Sequence, residues 1–403
     1  VSSTTQPRRG GAEGQEKTTG KVIAIAVVAA VGGFLFGFDS SVVNGAVDAL
    51  AEQFSIGALL KGFTVSCALL GAAVGAWFAG PLADKYGRTR VMVIAAVIFA
   101  VSAVGSGLAF AVWDLVLWRA VGGIGIGAAS VIAPAYIAEV SPAAIRGRLG
   151  SLQQFAITIG ILSALVSNAL LAGVADGDAA NDLWLGLPAW RWMFLVGVVP
   201  AVVWAGLALA VPESPRYLVA KGRKEEAGRV LASIQGLRDG ALVKRRIAEI
   251  AKHLAAERDP SLRDLKGPRL GLKPIVWVGI LLSVFQQAVG INVIFYYSTS
   301  LWSSVGFDAG QSALFSVITA ITNVLVTLIA IALVDKVGRR PMLLAGSVGM
   351  TLSLGAMALA FTQGTADGTD LTLPAPWGPV ALVAANLFIV SFGITWGPIV
   401  WVL

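Results

Sequence analysis

The sequence predicts an all-α membrane protein built as two pseudo-repeat helical bundles with a short helical insert between them. Three observations predict it: ten apolar runs of lipid-spanning length, basic residues crowded onto alternate connecting segments, and one Asp-x-x-Gly-Arg signature recurring in matching places of the two halves. Composition sets the frame. Apolar residues make up 56% of the 403-residue chain and charged ones 13%, with a mean hydropathy of +0.79. A water-soluble domain averages about 25% charged residues, so the polar surface here is too small to cover a soluble globule. The surplus must face lipid.

Residues 1–20 are polar and rich in Gly, Ser and Thr, which reads as a disordered cytoplasmic tail. The apolar run opening at Lys21 is too long for a signal-peptide core and has no cleavage site of the usual kind. A spanning helix needs about 20 largely apolar residues. Runs that qualify lie near 22–48, 61–81, 91–111, 115–139, 149–174, 191–211, 274–299, 310–334, 341–361 and 378–403. Their orientation follows from the bias of Lys and Arg toward cytoplasmic loops. With the N-terminus inside, every Lys and Arg except Lys61, Arg119 and Arg191 falls in a cytoplasmic segment, while Asp176, Asp178, Asp182, Asp367 and Asp370 fall outside. The formal charge of +7 is therefore topological and implies no nucleic-acid partner. The expectation is a multi-pass protein of the cell membrane with the lipid bilayer as its solvent.

Residues 21–211 form the expected N-terminal six-helix bundle, 212–273 a cytoplasmic helical linker, and 274–403 the second bundle. In the linker Leu242, Ile247, Ile250 and Leu254 recur at helical spacing. Asp84-Lys-Tyr-Gly87-Arg88 follows the second run, and Asp335-Lys-Val-Gly338-Arg339-Arg340 follows the eighth. Two six-span halves related by an axis along the membrane normal is a known transporter plan. On that plan the second half holds four of six spans, and the chain, ending within the apolar run GPIVWVL, reads as truncated after the tenth.

The single cysteine, Cys67, and single histidine, His253, allow no intrachain disulfide and no Cys/His metal site, and no cofactor is implied. Cys67 reads as a small packing residue, and His253, in KRRIAEIAKHLAAERD, as part of a solvated helix face. Gly33/Gly37, Gly71/Gly75 and Gly123/Gly127 are small-xxx-small pairs that let helices approach. Gly123-Ile-Gly-Ile-Gly127 is no nucleotide loop, since no strand precedes it.

Ionisable groups within spans are expensive and usually functional. Asp39 in the first run and Arg119 in the fourth are the deepest, and both fall in the outer half, within reach of pairing. Uncharged amides cluster too: Gln153 and Gln154 in the fifth run, Gln286, Gln287 and Asn292 in the seventh, Asn323 in the eighth. Carboxamides both donate and accept, which suits a neutral ligand covered in hydroxyls. Phe36, Tyr296, Phe392 and Trp401 could supply aromatic faces. On an ideal helix Gln286, Gln287 and Asn292 do not share one narrow stripe; Gly290 between them would loosen it.

FGFD at 36–39, DKYGR at 84–88, RAVGGIGIG at 119–127, YIAEVSPAAIRGRLGSLQQ at 136–154, PESPRYL at 212–218, QQAVGINVIFYYS at 286–298, DKVGRR at 335–340 and WGPIVW at 396–401, in this order, resemble the sugar porter family of the major facilitator superfamily. The resemblance implies that superfamily's twelve-helix fold, alternating access and a central monosaccharide site. It implies sugar-binding amides at Gln154, Gln286, Gln287, Asn292 and Asn323, with Phe36, Tyr296, Phe392, Gly397 and Trp401 at aromatic and close-approach positions. Cytoplasmic gate motifs would be carried by Asp84, Gly87, Arg88, Glu139, Arg146, Arg148, Glu213, Arg216, Asp335, Gly338 and Arg339. Asp39 with Arg119 is similar to the family's proton-coupled members, whereas facilitative relatives commonly carry Asn at the first position. The expected function is secondary active import of a hexose or pentose in symport with protons, with no enzymatic chemistry. Facilitated diffusion is the alternative, and a non-transporting sugar sensor a third.

Overall fold

The computed structural model describes residues 20–142, 145–235, 240–256, 265–267, 271–304, 306–367 and 370–399. In order the helices are α1 (Gly20–Gln53), α2 (Ala58–Tyr86), α3 (Arg88–Gly107), α4 (Val112–Val140), α5 (Arg146–Val174), α6 (Ala189–Val196) and α7 (Val198–Ala210). Next come α8 (Pro215–Ala220), α9 (Lys224–Gln235) and α10 (Gly240–Ala256), then α11 (Pro274–Ala288), α12 (Ile291–Tyr296), α13 (Ser298–Ser304), α14 (Ala309–Val337), α15 (Arg339–Thr362), α16 (Trp377–Ile394) and α17 (Trp396–Ile399). Among the described residues these supply ten stretches long and apolar enough to cross a membrane. Helix is the form such sequences must take, because in lipid each backbone N–H and C=O has to be satisfied within its own segment.

Several expected boundaries move, each for a visible reason. Gly20 already opens α1, and the rest of the expected tail, residues 1–19, lies outside the described residues. The expected loop between the second and third runs shrinks to Gly87, whose φ of 99° turns the chain in one residue. The sixth run divides at Gly197 into α6 and α7. The seventh is broken between α11 and α12 because Gly290 adopts the left-handed conformation at φ 89°, and again at Tyr297, before α13. The tenth is described as α16 and α17, and residues 400–403 lie outside the described set. Two hairpins, β1 (Asp182–Trp184) with β2 (Leu187–Pro188) and β3 (Thr365–Asp367) with β4 (Asp370–Thr372), occupy loops between spans.

The repeat is written into the backbone. Gly87 joins α2 to α3 at φ 99°, ψ 159°, and Gly338 joins α14 to α15 at φ 89°, ψ 156°. Between α7 and α11, the linker helices bury Tyr217, Leu218, Val219 and Ala227 against Ile247, Ile250, Ala251 and Leu254. Leu242, expected on the same stripe, is exposed instead, near the start of α10 and outside that cluster.

Close packing of the first bundle rests on glycine. A Cβ added at Gly71 or Gly75 on α2 would collide with the carbonyls of Ala120 and Ile124 on α4, and one at Gly123 or Gly127 with those of Ala68 and Ala72. Between α1 and α5, Gly37 faces the Ile157 carbonyl and Gly160 that of Phe34. Cys67 packs beside the α2–α4 seam, 2% exposed, as a small buried residue. Gly123→Leu is expected to force α2 and α4 apart, costing about 1–3 kcal/mol, the usual range for overpacking. Thermal unfolding in detergent should show a lowered midpoint, and an unchanged midpoint would contradict this packing.

Candidate functional site

A cavity of about 190 Å³ lies between the bundles, lined from α1, α4, α5, α11, α12, α14 and α16. Phe36, Gln154, Gln286, Gln287, Asn292, Tyr296, Asn323 and Phe392 all line it. Gly397 lies at its edge, where a Cβ would stand 3.3 Å from Gln154 Nε2 and 3.4 Å from the Phe392 ring. Trp401 lies outside the described residues.

The break at Gly290 explains how Gln286, Gln287 and Asn292 reach one cavity despite their spacing. With α11 ended and α12 restarted, Asn292 turns back and its Nδ2 donates to Gln287 Oε1 at 2.6 Å. That bond occupies one lone pair of the Gln287 oxygen and engages none of its Nε2 donors. Gln286 Nε2 donates to the Trp396 carbonyl at 3.4 Å. Asn323 is buried, and its Oδ1 has no partner. The cavity thus presents both donors and acceptors beside the rings of Phe36, Tyr296 and Phe392.

Ser40, Ser41, Ser130, Ile157 and Ile161 also line the cavity. Sequence reasoning passed over them because small hydroxyls and β-branched residues are ordinary packing in apolar helices. Asn44 was missed as well, although the rule that picked out the other intramembrane amides applies to it. Its Nδ2 donates to the Phe295 carbonyl and to Ser298 Oγ, both at 2.8 Å, joining α1 to α12 and α13.

One residue from Ser40, Asp39 on α1 meets Arg119 on α4. Arg119 Nη1 donates to Asp39 Oδ1 at 2.7 Å, with the Arg119 side chain 3% and the Asp39 side chain 9% exposed. The pairing anticipated from the sequence is present. It is not saturated: Asp39 Oδ2 and Arg119 Nε are buried without partners. The guanidinium also sits 5.6 Å from the centre of the Phe194 ring.

A second charged group gathers at the Gly87 junction. Arg88 bonds Asp84 and Glu139, each at 3.0 Å. Glu213 accepts from the backbone N–H of Arg88 at 3.0 Å, that of Thr89 at 3.2 Å, the Thr89 hydroxyl at 2.9 Å and the Ser214 N–H at 2.8 Å. A carboxylate on the first turn of α3 satisfies N–H groups that have no partner within the helix and complements its dipole. Arg146 Nη2 donates to the Ser141 carbonyl at 3.4 Å, Arg148 is exposed, and Arg216 is half-buried in α8. In the second half Gly338 and Arg339 form the corresponding junction, and the side chain of Asp335 lies outside what the structure describes.

Comparison with known proteins bears on this geometry. The family model described as "Sugar (and other) transporter" matches residues 25–403. The chain is 54% identical over 382 residues to a glucose transport protein of Synechocystis, covering 95% of this chain and 81% of that one. It is 36% identical over 408 residues to the D-xylose-proton symporter of Escherichia coli strain K12, covering 95% and 78%. Among solved structures, the proton:xylose symporter XylE bound to 6-bromo-6-deoxy-D-glucose superposes with a TM-score of 0.81 at 35% identity, covering 96% of this chain and 82% of that chain.

Glu213→Ala would strip the α3 N-terminus of its acceptor and leave the backbone N–H groups of Arg88 and Thr89 without it, while the Arg88 side chain keeps its bonds to Asp84, Glu139 and the Ala83 carbonyl. Loss of a capping acceptor costs about 0.5–2 kcal/mol. A lower thermal midpoint is expected, with Glu213→Gln intermediate because it retains one acceptor oxygen; equal midpoints for all three proteins would contradict the capping role.

Proposed function

Because the chain belongs to the sugar transporter family of the major facilitator superfamily, whose members are transporters and not enzymes, we propose that it imports a monosaccharide together with protons by alternating access. The reading places the chain in the cell membrane with its N-terminus in the cytoplasm, consistent with the distribution of Lys and Arg. Two bundles, 21–211 and 274–403, would rock about the sugar, with 212–273 as the cytoplasmic linker.

One observation carries the proposal: amides and aromatic rings from both halves line a single cavity whose α1 wall is continuous with a buried Asp39–Arg119 pair. Donors and acceptors would bind sugar hydroxyls, and ring faces would pack on its C–H surface. Gln154, Gln286, Gln287, Asn292 and Asn323 are assigned the hydroxyls; Phe36, Tyr296, Phe392, Gly397 and Trp401 the rings and close approaches. Glucose is the first sugar to test, since the 54% identical relative is a glucose transport protein.

Asp39 and Arg119 would couple the proton. A proton on Asp39 cancels one charge of the pair and weakens its hold on Arg119. Ser40, next to Asp39, lines the same cavity as Tyr296 of the other half, so movement of α1 would be felt in the sugar cavity. The motifs around Asp84, Gly87, Arg88, Glu139, Arg146, Arg148, Glu213 and Arg216, with Asp335, Gly338 and Arg339, would act as the cytoplasmic gate.

Gln287→Ala removes an amide whose acceptor is used internally and whose donors are assigned to the sugar. A net hydrogen bond of about 0.5–1.5 kcal/mol corresponds to a rise of about two- to tenfold in the half-saturating sugar concentration. Unchanged half-saturation would count against this contact.

Asp39→Asn retains the shape and removes the titrating group. Proton-driven accumulation in vesicles should be lost while sugar counterflow persists. Accumulation by the mutant equal to wild type would remove Asp39 as the coupling carboxylate, and failure of the wild type to accumulate would favour facilitated diffusion.

A further inference from the structure

Directly beyond the central cavity, along the same helices, lies a second one of about 160 Å³. On α1 the lining passes from Ser41 of the central cavity to Gly45 of the other, and on α5 from Ile161 to Leu165. Each step is one helical turn, about 6 Å. A polar bond divides the two spaces. Asn44, which lines the second cavity, donates at 2.8 Å to the carbonyl of Phe295, which lines the central one. The halves share this cavity too, since Thr299 of α13 and Ala313 of α14 line it together with α1 and α5.

Asn44 is fully engaged in that division: its Nδ2 bonds Phe295 and Ser298, and its Oδ1 accepts from Thr299. Groups within reach of a visitor are exposed or half-buried. Asp178, in the loop between α5 and β1, is exposed; its Oδ1 accepts from the Ala180 N–H at 2.9 Å, and its Oδ2 has no partner among the described residues. Bonds on both sides pin the loop, Gly177 N–H donating to the Ala172 carbonyl at 2.8 Å and Trp190 N–H to the Ala179 carbonyl at 2.9 Å. Thr299 and Ser303 give their hydroxyl protons to Asn44 and Ser312 and keep oxygen lone pairs for a further donor. Half-buried Ala169, Ala172 and Ala313 form apolar wall.

The reachable lining is therefore rich in acceptors, with small apolar faces beside them. Asp48 is paired with Lys61 and accepts from Ser300 at 2.6 Å, which leaves Asp178 as the carboxylate open to a ligand. A calcium ion takes about six to eight oxygens, and one open carboxylate holds it poorly. An organic cation finds no ring among the described residues that line the cavity. A polyol fits: its hydroxyls donate to Asp178 and to the oxygens of Thr299 and Ser303, while its C–H faces meet alanine. The bond to the carboxylate is charge-assisted and the strongest of these.

We propose that this cavity is a second monosaccharide subsite, an antechamber in which sugar waits until the Asn44 bond to Phe295 opens and admits it to the central cavity. With no ring to pack on, sugar is held more loosely there than between Phe36, Tyr296 and Phe392, as handing it on requires. The order of occupancy and the side that the cavity faces rest on the proposed function; the binding chemistry does not.

Protection of a thiol tests the subsite. Ser303→Cys in a Cys67→Ala background puts the chain's one cysteine on the cavity wall. Saturating glucose should slow its alkylation by a maleimide at least threefold, and Gln287→Ala in the central cavity should leave that protection in place. Asp178→Asn should abolish it, because asparagine keeps the oxygen that accepts from Ala180 and replaces the open acceptor by a donor. Ala169→Leu, which fills the cavity from α5 without touching the loop, should abolish it as well and serves if Asp178→Asn proves unstable. Absence of protection overturns the subsite. So does protection that disappears with Gln287→Ala and survives Asp178→Asn and Ala169→Leu, the result expected if the halves merely close over a central sugar. Protection by calcium or choline and not by glucose assigns the cavity to a cation and overturns it too.

In vesicles, Asp178→Asn should raise the half-saturating glucose concentration at least threefold on the cavity's side of the membrane and leave that of the other side unchanged. An equal rise on both sides overturns the waiting role. Protection of the thiol in a protein without sugar flux of any kind would sink the transport reading and leave this subsite standing.

Discussion

Asp39 and Arg119 place a carboxylate and a guanidinium 2.7 Å apart between two helices of membrane-spanning length. A single charge at that depth costs at least about 2.5–3.5 kcal/mol on the more lenient insertion scales. Neither residue is affordable alone, and each requires the other's helix to stay where it is. That requirement holds α1 against α4 and so fixes the wall from which Phe36, Gly37, Ser40 and Ser41 reach the central cavity. Because Asp39 Oδ2 and Arg119 Nε remain unpartnered, the pair is a poised contact and not a saturated strut. A change of charge at Asp39 would be transmitted to Arg119 and to Phe194 on α6 beneath its guanidinium.

Helices can sit this close only where the side chain is absent. The seam between α2 and α4 is reciprocal, each helix offering glycines to the other's carbonyls, and the seam between α1 and α5 repeats the device at Gly37 and Gly160. Lipid supplies no hydrophobic drive between helices, so association depends on close contact and on polar bonds. The seams leave α1 and α5 side by side, with Ile157, Ile161 and Gln154 facing the same cavity as Phe36. Packing and site are thus one arrangement.

Much of this could be read in the sequence, and what could not has physical causes. Span number and the repeat follow from hydropathy and charge, which depend on composition alone. The ion pair was readable because buried charge is rare enough to be informative. The geometry of the amides was not: Gln286 and Asn292 diverge on an ideal helix, and only the left-handed backbone at Gly290 brings them together. Gly290 marks a place where the helix can loosen, but a glycine in an apolar run does not say which way the chain will turn. Glu213 is legible as a motif residue, yet its bonds to Arg88 and Thr89 span more than a hundred positions and leave no periodic trace. The turn Leu185-Gly186, with φ of 58° and 68°, makes a hairpin from residues without strand alternation.

The junctions at Gly87 and Gly338 share a backbone and differ in surroundings. A Cβ at Gly87 would meet the Glu213 carboxylate, whereas at Gly338 the nearest contact is Pro341 Cδ at 4.0 Å. Toward the opposite end of α1 the halves are joined by short polar bonds. Asn44 donates to the Phe295 carbonyl and to Ser298, Thr299 donates to Asn44 Oδ1 at 2.6 Å, and Ser300 donates to Asp48 at 2.6 Å. At about 0.5–1.5 kcal/mol net for each bond, these four together are worth roughly 2–6 kcal/mol. A ligand must supply about 5.5 kcal/mol of differential binding to carry a two-state equilibrium from 1:99 to 99:1. The latch is therefore of a size that binding in the adjoining cavity can offset. An apolar seam of comparable extent would resist opening into water at every turn of the proposed cycle, whereas polar groups that separate are taken up by solvent, and that difference makes a hydroxyl and amide latch suited to an end that must open and close.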